Sequence, residues 1–343
     1  MVVLITGGNG FIGRHLVPVL LERGDSVRVL ALPAEDTTQL QRRDVAVYRG
    51  DVREPRTLVE PMRGADAVLH LAAMMDVWRP LSDYRAVNVV GTENVCRAAL
   101  AAGVRRAVHM SSSSVYGRPT RQPVTEEFPL APLDDPYPVS KAEGDAVVQR
   151  MIREDGLPAV IFRPDQIFGP GDSLHFGAMA DRLLSGKGVI VGAGHNFVPF
   201  VYVSDVVDAL LLALDHPRAT GAFNISSEQA LTQIELLSAI AEGVGANAPR
   251  LRVPYHLLYA AGYAAERAVL ATRSHRRPPV TRLGVAFMGT DNRFDISKAR
   301  LELGYAPKVA LREGIRRAAA WYRSLASSSA PAAAVQPQGE RAS

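Results

Sequence analysis

The 343-residue chain has a single cysteine, Cys96, and therefore cannot form an intramolecular disulfide bond. Cys96 lies in an apolar helical pattern, which favours a buried small side chain over a reactive thiol. No stretch of about 18 uncharged apolar residues is present, so we expect no membrane-spanning helix. A strand pattern begins at residue 2, and we also expect no signal peptide. These absences predict a cytoplasmic protein.

The chain also has no block of charge of one sign. Lysine and arginine together number 39 and aspartate and glutamate 35, and the two signs are interspersed. Without a basic cluster or a known DNA- or RNA-binding motif, we expect no nucleic-acid partner. No metal site is predicted. The composition is ordinary for a globular protein, and the length allows a large core in one or two domains.

A glycine-rich turn lies between a strand and a helix at the N-terminus. Residues 2–5 form a continuous apolar run, typical of a strand buried on both faces. The segment GNGFIG at 8–13 follows with the spacing G-x-G-x-x-G, and an apolar helical pattern continues to Leu21. A second strand pattern covers 27–30. This order of elements predicts a dinucleotide site in which the glycines and the helix N-terminus hold a pyrophosphate.

Tyr137 and Lys141 are four residues apart, and four serines at 111–114 precede them. Side chains at this spacing project from the same face of a helix. A cation beside a phenol favours the phenolate and lowers a pKa that is about 10 in isolation. Such a tyrosine can exchange a proton with a substrate hydroxyl near neutral pH, while a nearby serine holds the same oxygen. The pair is weak evidence alone and gains weight from the glycine turn.

The first two thirds of the chain alternates strand and helix patterns, which predicts an α/β fold with a Rossmann-type doubly wound parallel sheet. We expect a dinucleotide-binding Rossmann domain over 1–165, to which later segments return. A smaller α/β C-terminal substrate lobe over 166–325 and a disordered tail over 326–343 follow. The main predicted strands are 2–6, 26–32, 45–49, 66–71, 105–111, 158–163 and 221–225, and the main predicted helices are 11–23, 54–63, 83–102, 137–155, 205–215, 232–244, 255–271 and 311–325.

Nine or more short motifs occur in an order shared with a known family. They include TGGNGFIG at 6–13, GDV at 50–52, HLAA at 70–73, NVVGTEN at 88–94, SSSSVYG at 111–117, YPVSK at 137–141, FRPDQIFGPGD at 162–172 and VYVSDVVDAL at 201–210. By these motifs the chain resembles the extended short-chain dehydrogenase/reductases, also called the NAD-dependent epimerase/dehydratase family. The resemblance covers roughly residues 1–325 and implies an NAD(P)-dependent enzyme with a small-molecule substrate, in a family whose members are commonly homodimers.

The resemblance also implies roles for individual residues. Ser112, four residues before the tyrosine of the VYG motif, would be the catalytic hydroxyl. Tyr137 would be the acid/base, Lys141 its partner, and Asn88 a support for the lysine or its water. The Asp51 carboxylate would accept from the adenine amino group. The residues implied to bind the cofactor are Gly7, Gly10, Phe11, Ile12, Gly13, Asp51, Val52, Leu71, Ala72, Ala73, Tyr137, Lys141, Pro164 and Ile167.

The choice between NAD and NADP stays open in the sequence. NAD-binding members of the family usually end the second strand with an acid, and NADP-binding members place an arginine there. Here that strand ends in Ala31-Leu32-Pro33, with neither. The remaining candidates are Arg14, Arg42 and Arg43 for a phosphate, and Glu35 and Asp36 for a ribose.

Two departures bear on the substrate. The segment 196–202 is apolar where nucleotide-sugar members place a phosphate-binding arginine. Ser113 and Ser114 stand where sugar-nucleotide 4,6-dehydratases carry acids, which disfavours a dehydratase. An apolar, tyrosine-bearing helix pattern at 253–267, followed by Pro-Pro-x-Thr-Arg at 278–282, resembles the 3β-hydroxysteroid dehydrogenase branch. Arginines that could still supply a phosphate contact are Arg273, Arg276, Arg277 and Arg282.

We therefore predict an NAD(P)-dependent oxidoreductase that interconverts a secondary alcohol and a ketone, on a sterol-like or alicyclic substrate. The alternative is an NDP-sugar epimerase that uses the same hydride chemistry with tightly bound NAD. A third function, a non-catalytic NAD(P)-binding protein, is disfavoured because Ser112, Tyr137 and Lys141 are all present.

Overall fold

The structure, a computed structural model, describes residues 1–75, 78–118, 122–216, 218–272 and 278–328. Seven strands form the main sheet, and all of their pairings are parallel. These strands are β1 (Val2–Thr6), β2 (Ser26–Ala31), β3 (Ala46–Arg49), β4 (Ala67–His70), β5 (Arg106–Met110), β6 (Ala159–Pro164) and β11 (Gly221–Ile225). Their order in the sheet is β3-β2-β1-β4-β5-β6-β11. The order reverses between β1 and β4, where a doubly wound sheet opens a crevice at the carboxyl ends of its strands.

Helices cover both faces of this sheet and continue into the C-terminal lobe. They are α1 (Phe11–Glu22), α2 (Thr38–Gln41), α3 (Arg56–Met62), α4 (Leu81–Arg85), α5 (Thr92–Ala101), α6 (Pro136–Glu154), α7 (Ala178–Leu184), α8 (Val203–Asp215), α9 (Gln233–Val244), α10 (Tyr255–Ala271), α11 (Arg282–Gly289), α12 (Ser297–Leu303) and α13 (Leu311–Ser328). The apolar face of α1 buries Leu16, Val17 and Leu20 against the sheet, as its sequence pattern predicted. The predicted α/β Rossmann-type fold is confirmed.

The lobe is built from short strand pairs and helices. The strands are β7 (Gln166–Phe168), β8 (Ile190–Val191), β9 (Phe197–Val198), β10 (Phe200–Tyr202), β12 (Leu231–Thr232) and β13 (Arg252–Val253). They pair as β7 with β10, β9 with β12, and β8 with β13. A separate apolar cluster that includes Phe168, Phe176, Phe200 and Leu236 fills the lobe. The boundary at residue 165 stays a prediction, although β11 does lie in the main sheet beside β6.

Two segments differ from the sequence expectation. The predicted helix 83–102 begins at Leu81 and is interrupted by a π-helical turn, Ala86–Gly91, between α4 and α5. Such a turn inserts one extra residue and often occurs at functional sites. The last helix continues to Ser328, three residues into the predicted tail, and 329–343 lie outside the described residues. Within the described ranges no helix combines the length and apolarity that a bilayer crossing needs.

Candidate active site

A large cavity of about 1240 Å³ lies at the carboxyl ends of the sheet strands and extends into the lobe. Parallel strands end at the same edge of a sheet, so segments distant in sequence meet there. With the exception of Asn88, every residue predicted for the site lines this cavity. Those that line it are Gly7, Gly10, Phe11, Ile12, Gly13, Asp51, Val52, Leu71, Ala72, Ala73, Ser112, Tyr137, Lys141, Pro164 and Ile167.

The glycine turn brings backbone close to the position of a ligand. Gly7 has a φ of +72°, and a Cβ there would lie 2.8 Å from the Ala72 backbone nitrogen. A Cβ on Gly13 would lie 2.2 Å from the carbonyl oxygen of Gly8. The first helix begins directly after Gly10, which presents its N-terminal N–H groups at the cavity. This cradle fits the pyrophosphate of a dinucleotide, because glycines allow close approach and the helix N-terminus favours an anion.

Ser112, Tyr137 and Lys141 come together on two neighbouring elements. Ser112 follows β5 and caps the short 3-10 turn Ser113–Tyr116, and its Oγ accepts hydrogen bonds from the Ser114 backbone N (3.2 Å) and Ser114 Oγ (2.9 Å). Those bonds use the acceptor side of the hydroxyl, so its proton can be donated to a substrate oxygen. Tyr137 is in the first turn of α6, where Asp135 accepts from its backbone N–H at 3.0 Å. Lys141 follows one turn later.

Lys141 is 2 % exposed and donates from Nζ to the Met110 carbonyl oxygen at 2.5 Å. Burial lowers the pKa of Lys141 to about 8, and the Asp145 carboxylate opposes that shift. A buried ammonium of this kind is a strong local charge, because burial reduces screening by water. It therefore favours a negative phenolate oxygen one helical turn away.

Below Lys141 lies a group of residues that we call the site floor: Ser111, Asp145 and Arg163. Arg163 donates to both Asp145 oxygens at 2.9 Å, Ser111 Oγ donates to Oδ2 at 2.8 Å, and Gln149 donates to Oδ1 at 2.6 Å. Arg163 also reaches the Tyr116 hydroxyl at 2.8 Å. The floor was not predicted from the sequence. The available signal was the i+4 spacing of Asp145 from Lys141, which places it on the same face of α6.

Beside Ser112 lies a second group, the site wall, formed by Ser113, Asp165 and Ser226. Asp165 is 4 % exposed, lines the cavity, and accepts from Ser226 Oγ through Oδ2. Its Oδ1 has no hydrogen bond of good geometry among the described residues, and the Ser113 hydroxyl lies beside the carboxyl group. Burial raises the pKa of Asp165 to about 7, and the two serines oppose that shift. A role for this acid was not predicted from the sequence either.

The side chain of Asn88 links two segments of the site, and its support of Lys141 or of a water beside it stays a prediction. Its side chain, in the π-helical turn, accepts from the Met74 backbone N at 2.7 Å and donates to the Met74 carbonyl at 3.0 Å. It also donates to Ser140 Oγ at 2.9 Å. In the described part of the chain, this side chain makes no direct hydrogen bond to Lys141. Asn88 therefore links the segment after β4 to α6, and it fixes the position of these two segments relative to each other.

Asp51 lies at the adenosine end of the cavity but is already engaged. Its carboxylate accepts from the backbone N and the guanidinium of Arg53, with a shortest distance of 2.6 Å. The hydrogen bonds from Arg53 lower the pKa of Asp51. At neutral pH the Asp51 carboxylate is therefore ionised and can accept hydrogen bonds but not donate them. A contact with an adenine amino group would compete with Arg53 for the same oxygens.

The arginines considered for a substrate phosphate are only partly described. Arg282 donates to the Glu266 carboxylate at 2.6 Å and to the Asp134 carbonyl at 3.0 Å, and it does not line the cavity. Arg273, Arg276 and Arg277 lie outside the described residues. Two cations that were not predicted, Arg182 and Lys187, line the lobe end of the cavity.

Comparison with known proteins supports the same assignment. Residues 3–226 match the model of the NAD dependent epimerase/dehydratase family. A 2-alkyl-3-oxoalkanoate reductase from Stenotrophomonas maltophilia is 33% identical, over 92% of this chain and 98% of that relative. The 3beta-hydroxysteroid-dehydrogenase/decarboxylase isoform 1 of Arabidopsis thaliana is 32% identical, over 92% of this chain and 78% of that relative.

A solved structure extends the similarity to the cofactor. The dTDP-glucose 4,6-dehydratase DesIV from Streptomyces venezuelae, with NAD bound, superposes with a TM-score of 0.75 at 30% identity, covering 94% of this chain and 97% of that one. The glycine cradle and the small side chains after β4 are the features here that suit such a cofactor. The family predicted from the motifs is confirmed: the chain belongs to the NAD-dependent epimerase/dehydratase family and is an NAD(P)-dependent oxidoreductase that interconverts alcohols and ketones.

Proposed function

We propose that the chain transfers hydride between NAD(P) and one secondary carbinol carbon of a bulky, largely apolar substrate. The observation that carries this proposal is the continuity of one cavity from the glycine cradle, past Ser112 and Tyr137, into the apolar lobe. The lobe end is lined by Phe200, Phe287 and Met288. Burying apolar surface there is worth roughly 25 cal/mol per Å² and would hold a fused-ring or long-chain substrate.

Ser112, Tyr137 and Lys141 each have a separate role in the proposed hydride transfer. NAD(P), when bound, supplies the hydride donor or acceptor. In the oxidising direction, Tyr137 Oη accepts the proton of the substrate hydroxyl as the carbonyl forms. Ser112 donates a hydrogen bond to the same oxygen and stabilises negative charge that develops on it. The buried Lys141 ammonium favours the phenolate that Tyr137 needs in order to act as a base near neutral pH.

The names of the two relatives narrow the proposed substrate. One is named for 2-alkyl-3-oxoalkanoates and the other for 3beta-hydroxysteroids. Both classes combine a reacting oxygen with apolar bulk, which agrees with the apolar lobe. We therefore propose a sterol-like, alicyclic or long-chain 3-hydroxy or 3-oxo compound.

Sugar-nucleotide epimerisation is the second candidate. It is favoured by one observation, the presence of Arg182 and Lys187 at the lobe end of the cavity, where they suit a diphosphate. To separate the candidates, the purified protein is denatured and any released nucleotide is identified by mass spectrometry. Release of nearly one NAD per protein chain would contradict a dehydrogenase whose cofactor dissociates after each turnover. Empty protein that consumes added NADH or NADPH with a 3-oxosteroid would contradict the epimerase.

The role of Tyr137 is tested by Tyr137→Phe, which removes only the hydroxyl. We expect cofactor affinity to stay within a few-fold of wild type and turnover to fall by roughly 10²–10⁴, the usual contribution of a general acid/base. Tyr48→Phe, on β3 and outside the cavity lining, is the matched control and should keep full turnover. A fully active Tyr137→Phe variant would show that another group moves the proton.

A cytoplasmic location and a homodimer belong to the same proposal. The first is supported by the single buried thiol, Cys96, and by the use of a nicotinamide cofactor. The homodimer is supported only by the fact that members of the family are commonly dimers. Light scattering of the purified protein measures the subunit number directly, and a monomer mass would contradict the homodimer.

A further inference from the structure

The end of β2 carries no acid of its own, yet a carboxylate lies there. Leu32 follows the strand, and its backbone N–H donates to Glu35 Oε2 at 3.2 Å. Leu32 and Glu35 both line the cavity, and the Asn9 side chain of the glycine turn donates to the Asp36 carbonyl oxygen at 2.7 Å. In a Rossmann fold this is the place where an acid meets the adenosine ribose. The chain thus supplies the carboxylate from three residues further along.

The turn that carries Glu35 is held in place by Arg49, at the end of β3. The backbone N–H of Glu35 donates to the Leu32 carbonyl at 3.0 Å, which closes the turn. Arg49 Nη1 donates to the carbonyl oxygens of Leu32 (3.1 Å) and Glu35 (2.6 Å), and Nη2 donates to Thr37 Oγ1 at 2.7 Å. Thr37 is itself buried. A planar guanidinium with three such bonds fixes both ends of the turn.

The arginines of this region bond to groups other than the Glu35 carboxylate. Arg53 is paired with Asp51, and Nη1 and Nη2 of Arg49 donate to the turn. Arg14 donates from Nε to the Asn9 carbonyl at 2.8 Å. In the described part of the chain, no ion pair includes Glu35. A ribose hydroxyl could therefore donate to this carboxylate, whereas a 2′-phosphate would meet a like charge.

We propose that Glu35, positioned by Arg49, accepts from the adenosine ribose hydroxyls and makes this chain prefer NAD(H) to NADP(H). This inference depends on the cofactor site of the proposed function. Glu35 acts as the specificity-determining group, and Arg49 acts through it as a positioning residue.

The test is calorimetric titration of the full chain with NAD⁺ and with NADP⁺, after any retained nucleotide has been removed by dialysis. Wild type should bind NAD⁺ more tightly by roughly tenfold or more, because the Glu35 carboxylate repels a nearby phosphate. Glu35→Gln should erase most of that preference, chiefly by improving NADP⁺ binding. Added salt should narrow the wild-type preference, because it screens the repulsion.

Asp36→Asn is the matched control. It removes the same charge one residue further on, from a carboxylate that accepts from the Thr38 backbone N–H and hydroxyl and lies outside the cavity lining. It should leave the NAD⁺/NADP⁺ ratio within about twofold, since a solvent-exposed charge is well screened. Equal shifts in the two variants would overturn the role of Glu35.

Arg49→Ala separates positioning from direct phosphate binding. If Arg49 only holds the turn, its loss should weaken NAD⁺ more than NADP⁺ and move the ratio toward that of Glu35→Gln. If NADP⁺ binding weakens more, Arg49 is a phosphate ligand and the inference is overturned. Tighter binding of NADP⁺ by wild type would overturn it too. If wild type binds neither nucleotide, the proposed cofactor site itself is wrong.

Discussion

The floor and the wall of the site each contain a buried carboxyl group, and the two are held very differently. In the floor, Asp145 is fully buried and accepts from Arg163, Ser111 and Gln149. In the wall, Asp165 is almost as buried but accepts from Ser226, and its Oδ1 has no well-formed bond among the described residues. Burial raises the pKa of Asp165 to about 7.

The difference shows that burial alone does not determine the charge of an acid in this protein. A buried charge is tolerated when an opposite charge and hydrogen bonds replace the lost water, and otherwise the group takes up a proton. The floor is therefore a fixed ionic support under Lys141. The wall is a titratable surface of the cavity, and substrate would lie against it.

Removing the cation of the floor should have the largest effect. Arg163→Met leaves the Asp145 carboxylate buried without its partner, and such losses cost about 3–5 kcal/mol. Urea denaturation at pH 7.5 measures the change in the free energy of unfolding. The double variant Asp145→Leu/Arg163→Met should recover most of the loss, because a buried pair replaced by apolar side chains is often near neutral. A loss below about 1 kcal/mol in Arg163→Met would show that the pair is hydrated.

Removing the charge of Asp165 in the wall should change the free energy of unfolding in the opposite direction, toward higher stability. The folded pKa of Asp165 is raised above the unfolded value of 3.8, so the folded state binds more protons between pH 3.8 and about 7. Stability therefore falls as pH rises through this window, by an amount on the order of 4 kcal/mol. Asp165→Asn should stabilise the protein above pH 7 and change little below pH 4.

Asp205→Asn is the control for the wall variant. Asp205 is equally buried, but its two oxygens accept from the backbone N–H groups of Lys308 and Val309 at 2.9 and 3.3 Å. Its amide variant loses an acceptor for one of those groups and should be destabilised at neutral pH by about 1–3 kcal/mol. If Asp165→Asn and Asp205→Asn change the free energy of unfolding in the same direction, hydrogen bonding does not distinguish the two buried acids.

The parts of the site that sequence could predict are those that depend on local pattern. The glycine turn, the small residues after β4 and the Tyr137/Lys141 spacing are each contained in a few consecutive residues, and all line the cavity. The i+4 spacing of Asp145 from Lys141 is also local, but the partners of the buried acids in the floor and the wall could not be predicted this way. Asp145 meets Ser111 from 34 positions away, and Asp165 meets Ser226 from 61. Such partners are fixed only when β5, β6 and β11 assemble into one sheet.

Asp205 shows the same limit on a smaller scale. Its position before an apolar helical pattern predicts an N-cap. In the structure α8 begins two residues earlier, at Val203, and the carboxylate bonds the chain before α13 instead. Asp51 is similar, because the motif predicts a contact with adenine, while the neighbouring Arg53 engages the same oxygens. The local sequence pattern predicted that these carboxylates accept hydrogen bonds, but tertiary packing determines which groups donate to them.

A pair of histidines repeats the contrast between floor and wall, with the smallest expected effect. His70 and His109 are both buried, with ring centroids 5.4 Å apart on neighbouring strands. His70 bonds Thr6 Oγ1 at 2.7 Å and Thr92 Oγ1 at 3.0 Å, whereas neither ring nitrogen of His109 has a partner among the described residues. Burial, and then the Lys141 charge, lowers the pKa of His70 to about 3 and that of His109 well below 6.5.

Both imidazoles should therefore destabilise the fold in acid. The unfolded chain binds protons at these groups below pH 6.5 and the folded chain does not, so each removes up to about 1.4 kcal/mol per pH unit as pH falls. His109→Phe should reduce this slope between pH 6.5 and 5 with little change at pH 8, since it removes no hydrogen bond. His70→Phe should reduce the slope equally but cost about 1–2 kcal/mol at pH 8, because it breaks the bonds to the two threonines. Thermal unfolding across this pH range distinguishes them, and equal losses at pH 8 would mean that His109 is hydrogen-bonded in solution.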